Sequence, residues 1–169
     1  MAPSPATLVL GIDPGIATTG VALVRSAGGK RTLSQFGVIT TPAGMAGPKR
    51  LAMLHGQLLE LVAEIKPQAA AVEQLFFASN TTTAMQVAEA RGVILLAMEL
   101  SGVPVWEYTP MQVKTSLTGY GKATKPQMIK MVRATVDAAD QLPDDAFDAV
   151  AIALCHLQSH RIMPGRRIS

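Results

Sequence analysis

The sequence has few of the features that mark exported or membrane-bound proteins. Its only cysteine, Cys155, excludes an internal disulfide, whereas secreted domains usually carry paired cysteines. Apolar stretches such as VILLAM at 93–98 are far shorter than the ~20 residues that a membrane span needs. The N-terminal MAPSPAT has no basic region ahead of an apolar one, unlike a signal peptide. We therefore expect a cytoplasmic protein with no membrane association.

Charged and aromatic residues are also scarce, at 16% and 4% of the chain, and the net charge is only +3. The charges are unevenly distributed, because two long stretches contain no acidic residue. The first holds Arg25, Lys30, Arg31, Lys49 and Arg50, and the second holds Lys114, Lys122, Lys125, Lys130 and Arg133. Basic zones favour a polyanionic partner, although an ordinary solvated surface explains them equally well.

The pattern of apolar residues predicts one domain of alternating strands and helices, 1–169. Strands are expected at about 7–13, 18–25, 32–40, 69–74 and 103–109, and helices at about 48–65, 81–101, 124–138 and 143–159, with a further short helix that begins at Thr109-Pro110. Gly28 and Gly29 are expected to turn the second strand into the third. This order predicts an α/β fold with a five-stranded mixed sheet flanked by helices. The basic tail at about 161–169 is a candidate for disorder.

Four acidic residues fall where these elements would bring them to one edge of the sheet. Asp13 ends the first strand, and Glu73 lies near the end of the fourth, which the crossover rule allows to lie beside the first. Asp145 and Asp148 share one face at the start of the last helix. Close carboxylates repel each other by roughly 1–4 kcal/mol per pair unless cations neutralise them. Oxygen ligands favour Mg²⁺ or Mn²⁺, and two such ions about 4 Å apart commonly cleave phosphodiesters.

Each acid also has a purely structural explanation. Asp13 belongs to Asp-Pro-Gly, a turn sequence; Glu73 is compatible with a charge at the rim of the sheet; and Asp145 would favour the helix dipole. Asp148 is harder to explain in this way, because it lies in an otherwise apolar helix where an unpaired carboxylate would be costly.

Four segments of the chain together resemble the RuvC family of Holliday-junction resolvases. They are GIDPGIATTGVAL, VEQLFFASNTTTAMQVAEARG, QVKTSLTGYGKATKPQM and DDAFDAVAIALCH, in the family's order and spacing over residues 8–158. The resemblance implies a ribonuclease H-like fold. It also implies the activity of a crossover junction endodeoxyribonuclease, which resolves four-way DNA junctions in recombination and DNA repair. It implies paired nicks with 5′-phosphate and 3′-hydroxyl ends, and it places the catalytic and metal-binding acids at Asp13, Glu73, Asp145 and Asp148.

The same resemblance assigns DNA-binding roles to other residues. Lys114 and Lys125 match basic residues that contact DNA phosphates, and Lys122 is a further candidate. Phe76 matches an aromatic residue that stacks on junction bases, whereas Phe77 would anchor the same loop. Ile16-Ala17 departs from the family, since relatives often have polar residues there.

The family also implies cofactors and partners. Two Mg²⁺ or Mn²⁺ ions per site would act together, one activating water and the other stabilising the leaving 3′ oxygen. Two symmetric nicks imply a homodimer, and the family further implies contact with a RuvA–RuvB branch-migration complex. Ala84, Ala88 and Gly92 would allow another helix to approach closely, although packing on the protein's own sheet explains them equally well.

Other functions have some support in the sequence. GIDPGIATTG is also similar to the phosphate loop of sugar kinases and actin-like ATPases, but that architecture needs two such domains. A non-catalytic junction-binding protein would lack at least one metal acid. A related family that processes ribosomal RNA precursors shares the fold, so an RNA substrate is the closer alternative. Cys155, His156 and His160 have helical spacing, but HExxH is absent, so structural histidines are favoured over zinc ligands.

Overall fold

A mixed six-stranded sheet with helices on both faces forms the protein. The computed structural model describes residues 6–75, 81–137, 142–159 and 165–168. The strands are β1 (Thr7–Asp13), β2 (Thr18–Ala27), β3 (Lys30–Thr40), β4 (Ala69–Glu73), β5 (Val105–Tyr108) and β6 (Arg166–Arg167). The helices are α1 (Gly47–Ile65), α2 (Thr81–Leu100), α3 (Pro110–Thr118), α4 (Lys125–Thr135) and α5 (Asp144–Ser159). None of the described helices has the length and apolar character of a membrane-spanning segment.

The strand order is β3-β2-β1-β4-β5-β6. The first three strands form an antiparallel meander, in which Gly28 and Gly29 both adopt positive φ in the tight turn between β2 and β3. β4 runs parallel to β1 and to β5. Parallel neighbours have their carboxyl ends at the same edge, so the chain delivers Asp13 and Glu73 to one edge of the sheet. The predicted mixed α/β sheet is therefore confirmed.

The prediction of five strands was wrong by one. The sixth strand consists only of Arg166 and Arg167, which pair with β5 and belong to the basic C-terminal tail. Two charged residues carry no alternation of apolar and polar side chains, so nothing in their sequence indicates a strand. They pair with the open edge of β5, where Arg167 also lies over the Trp106 ring, 5.5 Å from its centroid.

The fourth helix also ends earlier than predicted. It stops at Thr135, and Val136 is extended, with φ −133° and ψ 139°. The Val136 side chain is 2% exposed and belongs to the apolar core. Burial of this side chain in the core accompanies the end of the helix, although the sequence pattern would allow the helix to continue.

Two apolar layers hold the helices against the sheet. Helices α1 and α2 cover one face of the sheet, and α5 lies across β1 and β2 on the other, with α3 and α4 packed beside it. Every residue of α5 from Ala149 to His156 is buried. This buried part of α5 therefore anchors the start of the helix, which carries Asp145 and Asp148.

Candidate active site

An acidic pocket of about 280 Å³ lies at the carboxyl ends of β1 and β4. Its charged lining consists of Asp13, Glu73 and Asp148 from β1, β4 and α5, together with Lys114 from α3 and Lys125 from α4. A larger groove of about 380 Å³ lies elsewhere, between the β2–β3 ribbon and α1, and its lining is largely apolar. The acidic pocket is the better candidate for catalysis, because carboxylates and lysines from distant parts of the sequence converge there.

The four predicted acids form one electrostatic cluster. Burial raises the pKa of Asp13 to about 7, and the charges of Glu73, Asp148 and Asp145 add to the effect while Lys125 opposes it. Burial also raises the pKa of Glu73, with Asp148 adding to the effect. Asp145 does not line the pocket but acts on Asp13 from the first turn of α5. The cluster thus carries more negative charge than its surroundings compensate.

Lys125 neutralises part of the negative charge of the acidic cluster. Its Nζ lies 2.5 Å from Oδ1 of Asp148, and it also lies over the Phe147 ring, 5.2 Å from the centroid. Lys114 lines the pocket and opposes the rise in the pKa of Glu73. Among the described residues, no three Asp, Glu, His or Cys side chains are arranged as ready-made ligands of one ion. The donor atoms nevertheless suit a hard cation, since all are carboxylate oxygens in an uncompensated cluster.

Two glycines, neither of them predicted from the sequence to be functional, allow α5 to lie close to the acids. Gly20 pairs with Asp13 across the β1–β2 ribbon. A Cβ at Gly20 would lie 1.9 Å from the backbone oxygen of Asp145, and one at Gly11 would lie 1.9 Å from that of Ala149. Only glycine therefore lets the start of α5 rest on the ribbon beside Asp13. The available signal was the presence of glycine inside two apolar strands, which often marks a close backbone approach.

The turn after Asp13 is held by hydrogen bonds from the end of β3 and the start of α1. The Thr41 hydroxyl donates to the backbone oxygen of Ile16, the Thr41 N–H donates to that of Ala17 at 3.0 Å, and Arg50 Nε donates to the Thr41 hydroxyl at 2.8 Å. Ile16 is buried in the core. This burial accounts for the apolar residue at this position of the turn.

The first basic zone of the sequence does not form one surface. Arg50 belongs to the hydrogen-bonded network beside the turn after Asp13. Arg25, by contrast, pairs with Leu8 near the start of β1, and Lys30 and Arg31 begin β3 at the same end of the ribbon. The chain thus separates these residues to opposite ends of the β1–β2–β3 meander.

The lysines of the second basic zone are positioned by capped helices. Thr109 and Gln112 form a reciprocal capping box at the start of α3, and the Gln127 side chain accepts a hydrogen bond from the Thr124 N–H at the start of α4. Lys122 is exposed and does not line the pocket.

The structure describes only some of the other residues that the sequence indicated. Phe76, Phe77 and His160 lie outside the described residues. His156 is buried, and its Nδ1 shares a hydrogen bond of 2.8 Å with the Tyr108 hydroxyl. Cys155 is also buried, which raises the pKa of its thiol. These contacts fit the structural interpretation of His156.

The raised pKa of Asp13 predicts a pH-dependent effect on stability. The folded protein binds this proton with a pKa of about 7, against an ordinary value of 3.8, so ionisation of Asp13 destabilises the fold as the pH rises between these values. We expect Asp13→Asn to gain in Tm relative to the parent as the pH rises from about 4 to 7. Mg²⁺ or Mn²⁺ should raise the Tm of the parent, and more so at neutral pH. Thermal melts with EDTA and with each ion measure both effects.

Asp144→Asn is the control for these melts, because Asp144 is exposed and does not act on Asp13. A difference in Tm between Asp13→Asn and the parent that stays constant with pH would contradict the prediction.

The chain that forms this pocket is similar to known proteins of one family. Residues 9–156 match the family model of crossover junction endodeoxyribonuclease RuvC. The chain is 50% identical to the RuvC of Rubrobacter xylanophilus over 156 residues, which cover 92% of this chain and 87% of the relative. It is 51% identical to the RuvC of Chloroflexus aggregans over 148 residues, covering 87% and 90%.

Solved structures agree with this match. The structure of Thermus thermophilus RuvC in complex with a Holliday junction substrate has a TM-score of 0.89 and 36% identity, covering 96% of this chain and 99% of that one. The yeast mitochondrial Holliday junction resolvase Ydc2 shares the fold, with a TM-score of 0.70 and 15% identity over 91% of this chain and 79% of that one. The family match over nearly the whole chain, together with the acids at the same sheet edge, identifies the chain as a member of the RuvC family of crossover junction endodeoxyribonucleases.

Proposed function

We propose that this protein cleaves four-way DNA junctions by paired, metal-dependent hydrolysis of phosphodiester bonds, leaving 5′-phosphate and 3′-hydroxyl ends, in recombination and DNA repair. The observation that carries the proposal is the convergence of Asp13, Glu73 and Asp148 with Lys114 and Lys125 in one pocket. The Thermus relative solved with a Holliday junction substrate, 36% identical to this chain, supports the choice of substrate.

The proposed metal ligands are Asp13, Glu73, Asp145 and Asp148, holding two ions of Mg²⁺ or Mn²⁺. Burial raises the pKa of Asp13 and Glu73, and the neighbouring carboxylates that add to this rise carry negative charge that such ions would neutralise. When bound, the ions would supply Lewis-acid activation of water and stabilisation of the leaving oxygen. The protein's own contribution is to hold these carboxylates on three rigid elements, β1, β4 and α5.

Lys114 and Lys125 are proposed to hold the phosphate that enters the pocket. Both lysines line the pocket beside the acids, so a phosphate there would meet positive charge as well as the carboxylates. Lys125 is about two-fifths exposed. Its exposed contact with Asp148 therefore contributes little to stability, which leaves it available for a substrate.

A homodimer is proposed through the outer face of α2. The inner face of this helix, which includes Ile94 and Met98, is buried in the core. The outer face exposes Met85, Leu96 and Leu100, at 65%, 51% and 65%, and a Cβ at Gly92 would meet open space. Met85, Gly92, Leu96 and Leu100 recur at helical spacing on one side of α2, which also carries exposed Glu89 and Glu99. An apolar surface of this kind suits a second copy of the helix, and two copies would supply the two sites that paired nicks require. Phe76 as a base-stacking residue and contact with a RuvA–RuvB complex remain proposals from the family resemblance.

The test is to incubate the protein with a synthetic four-way DNA junction, the matching linear duplex and a structured RNA, each with Mg²⁺, Mn²⁺ or EDTA. We expect paired, symmetric nicks in the junction only, and only with metal. The end groups are read by ligation of the nicked products. Cleavage of the RNA but not the junction would favour the RNA-processing alternative, and junction binding without cleavage under any metal would favour a non-catalytic protein.

Removal of either pocket lysine is expected to weaken the salt dependence of junction binding. Lys114→Ala and Lys125→Ala should each flatten the slope of log affinity against log salt concentration by up to about one unit, because each phosphate contact releases counterions. Titrations in EDTA at several salt concentrations measure the slope. Arg25→Ala is the control, since Arg25 is exposed near the other end of β1. An unchanged slope with unchanged cleavage would mean that these lysines are ordinary surface residues.

A further inference from the structure

A second surface lies at the turn between α3 and α4, the two helices that carry the lysines of the acidic pocket. Met111 and Tyr120 are 65% and 58% exposed and belong to the segment that carries Lys114 and Lys125. Single exposed apolar side chains are common on protein surfaces, so a binding role for Tyr120 requires an ordered backbone and an electrostatic setting that suits a ligand. Tyr120 meets both conditions.

The backbone on both sides of Tyr120 is fixed by hydrogen bonds. Its N–H donates to the Thr118 hydroxyl at 3.1 Å, and its carbonyl oxygen accepts from the Ala123 N–H at 3.1 Å. The Thr118 hydroxyl in turn contacts the backbone oxygen of Lys114 at 2.8 Å. Gly119 has a positive φ of 75°, which allows the chain to leave the helix and enter the turn. The turn is thus tied to the helix that carries Lys114.

The turn also packs directly on α3. A Cβ at Gly121 would lie 2.8 Å from Cγ of Met111 and 3.1 Å from the Thr115 hydroxyl, so the backbone of the turn lies close to these two side chains. Met111 therefore lies beside the turn that presents Tyr120. Because the backbone of Tyr120 is already ordered, a ligand that meets its ring would incur little entropic cost from ordering the loop.

The charge of this segment favours nucleic acid as the ligand. No acidic residue lies between Glu107 and Asp137, whereas this stretch holds five basic residues. Glu107 itself is buried and paired with Arg91, so it does not oppose a phosphate at this surface. Lys122 is exposed two residues from Tyr120. An aromatic ring flanked by cations suits a nucleic-acid strand, whose bases stack while its phosphates meet the lysines.

The position of Tyr120 limits where such a base can lie. Five residues separate it from Lys125, and five extended residues span at most about 18 Å. With a rise of about 3.4 Å per nucleotide along one strand, the backbones of Tyr120 and Lys125 are no further apart than the length of about five nucleotides. A linear duplex keeps its bases stacked on each other, whereas a branch point offers unstacked ones.

We propose that Tyr120, with Met111 beside it, stacks on an unpaired base of the junction close to the cleaved strand. This inference rests on the proposed junction substrate. Tyr120 would contribute to the preference for junctions over duplex DNA without taking part in the chemistry.

The test compares the parent with Tyr120→Ala, Tyr120→Trp and Lys122→Ala in EDTA. Stacking on an aromatic side chain is worth about 1–3 kcal/mol per base, so Tyr120→Ala should weaken junction binding by roughly fivefold to a hundredfold or more. Its salt slope, its affinity for linear duplex and its Tm should match those of the parent. Lys122→Ala should instead flatten the salt slope. Tyr120→Trp should bind as the parent does, and its added fluorescence should be quenched by the junction but not by the duplex.

Phe36→Ala is the control for loss of an exposed aromatic side chain, since Phe36 is 44% exposed on the edge strand β3, far along the sheet from β5. Parent-like junction affinity of Tyr120→Ala, while the parent cleaves junctions, would overturn the inference and leave the proposed function intact. Equal weakening of junction and duplex binding, or unquenched Tyr120→Trp fluorescence in the complex, would also overturn it. A parent that neither binds nor cuts junctions would instead contradict the proposed function.

Discussion

Asp148→Asn is expected to reduce junction cleavage by at least about a thousandfold, with junction affinity unchanged or higher. The Asp148 carboxylate lines the acidic pocket and raises the pKa of both Asp13 and Glu73, so it belongs to the same charge cluster. Metal ions stabilise developing charge by several kcal/mol, and each 1.36 kcal/mol corresponds to about a factor of ten in rate. Loss of a ligand should therefore affect the rate strongly. Removal of a negative charge near the phosphates should not weaken binding.

Asp13→Asn, Glu73→Gln and Asp145→Asn should behave in the same way. Single-turnover cleavage with saturating protein measures the rate, and titrations in EDTA measure the affinity. Asp144→Asn is a matched control, because Asp144 precedes Asp145 on α5, is exposed and does not act on Asp13. A variant that cuts at close to the parent's rate would show that its acid is not part of the site.

Gly20→Ala is expected to lower both stability and cleavage, although the change adds only one methyl group. Its Cβ would lie 1.9 Å from the backbone oxygen of Asp145, so either β2 or the start of α5 has to move. Overpacking of this kind costs about 3 kcal/mol at the upper end of its usual range. For a domain of this size, that cost lowers the Tm by about 6–12 °C. Displacement of α5 would also move Asp145 and Asp148 away from Asp13, so cleavage should fall more than the loss of folded protein explains.

Gly37→Ala is the matched control for this prediction. Gly37 also lies in a strand, but a Cβ there would be 3.9 Å from Cγ2 of Val21, an ordinary contact. Thermal melts and cleavage by the remaining folded protein separate the two effects. A Gly20→Ala protein with the parent's Tm and rate would show that the start of α5 tolerates movement away from the ribbon.

The sequence by itself predicted the elements and the meeting of the strand-end acids at one edge of the sheet. Apolar spacing and short apolar runs located the five longer strands and the five helices, because both are local properties of the sequence. Asp13 and Glu73 each end a strand, so the parallel pairing of β1 with β4 follows from the crossover rule and brings them to one edge. The spacing of Asp145 and Asp148 predicts that both lie on one face of α5, and this added them to the predicted group of four acids.

Only the tertiary structure decided how these parts meet. The strand β6 depends on the open edge of β5, and the end of α4 coincides with burial of Val136, neither of which has a local pattern. The contact of Lys125 with Asp148 joins residues from two helices whose relative placement no spacing predicts. The close approach of α5 to Gly20 is a property of two backbones at once, and a glycine in one strand does not identify the helix that needs it. Such contacts form between segments distant in sequence, so their geometry is set by packing of the whole domain.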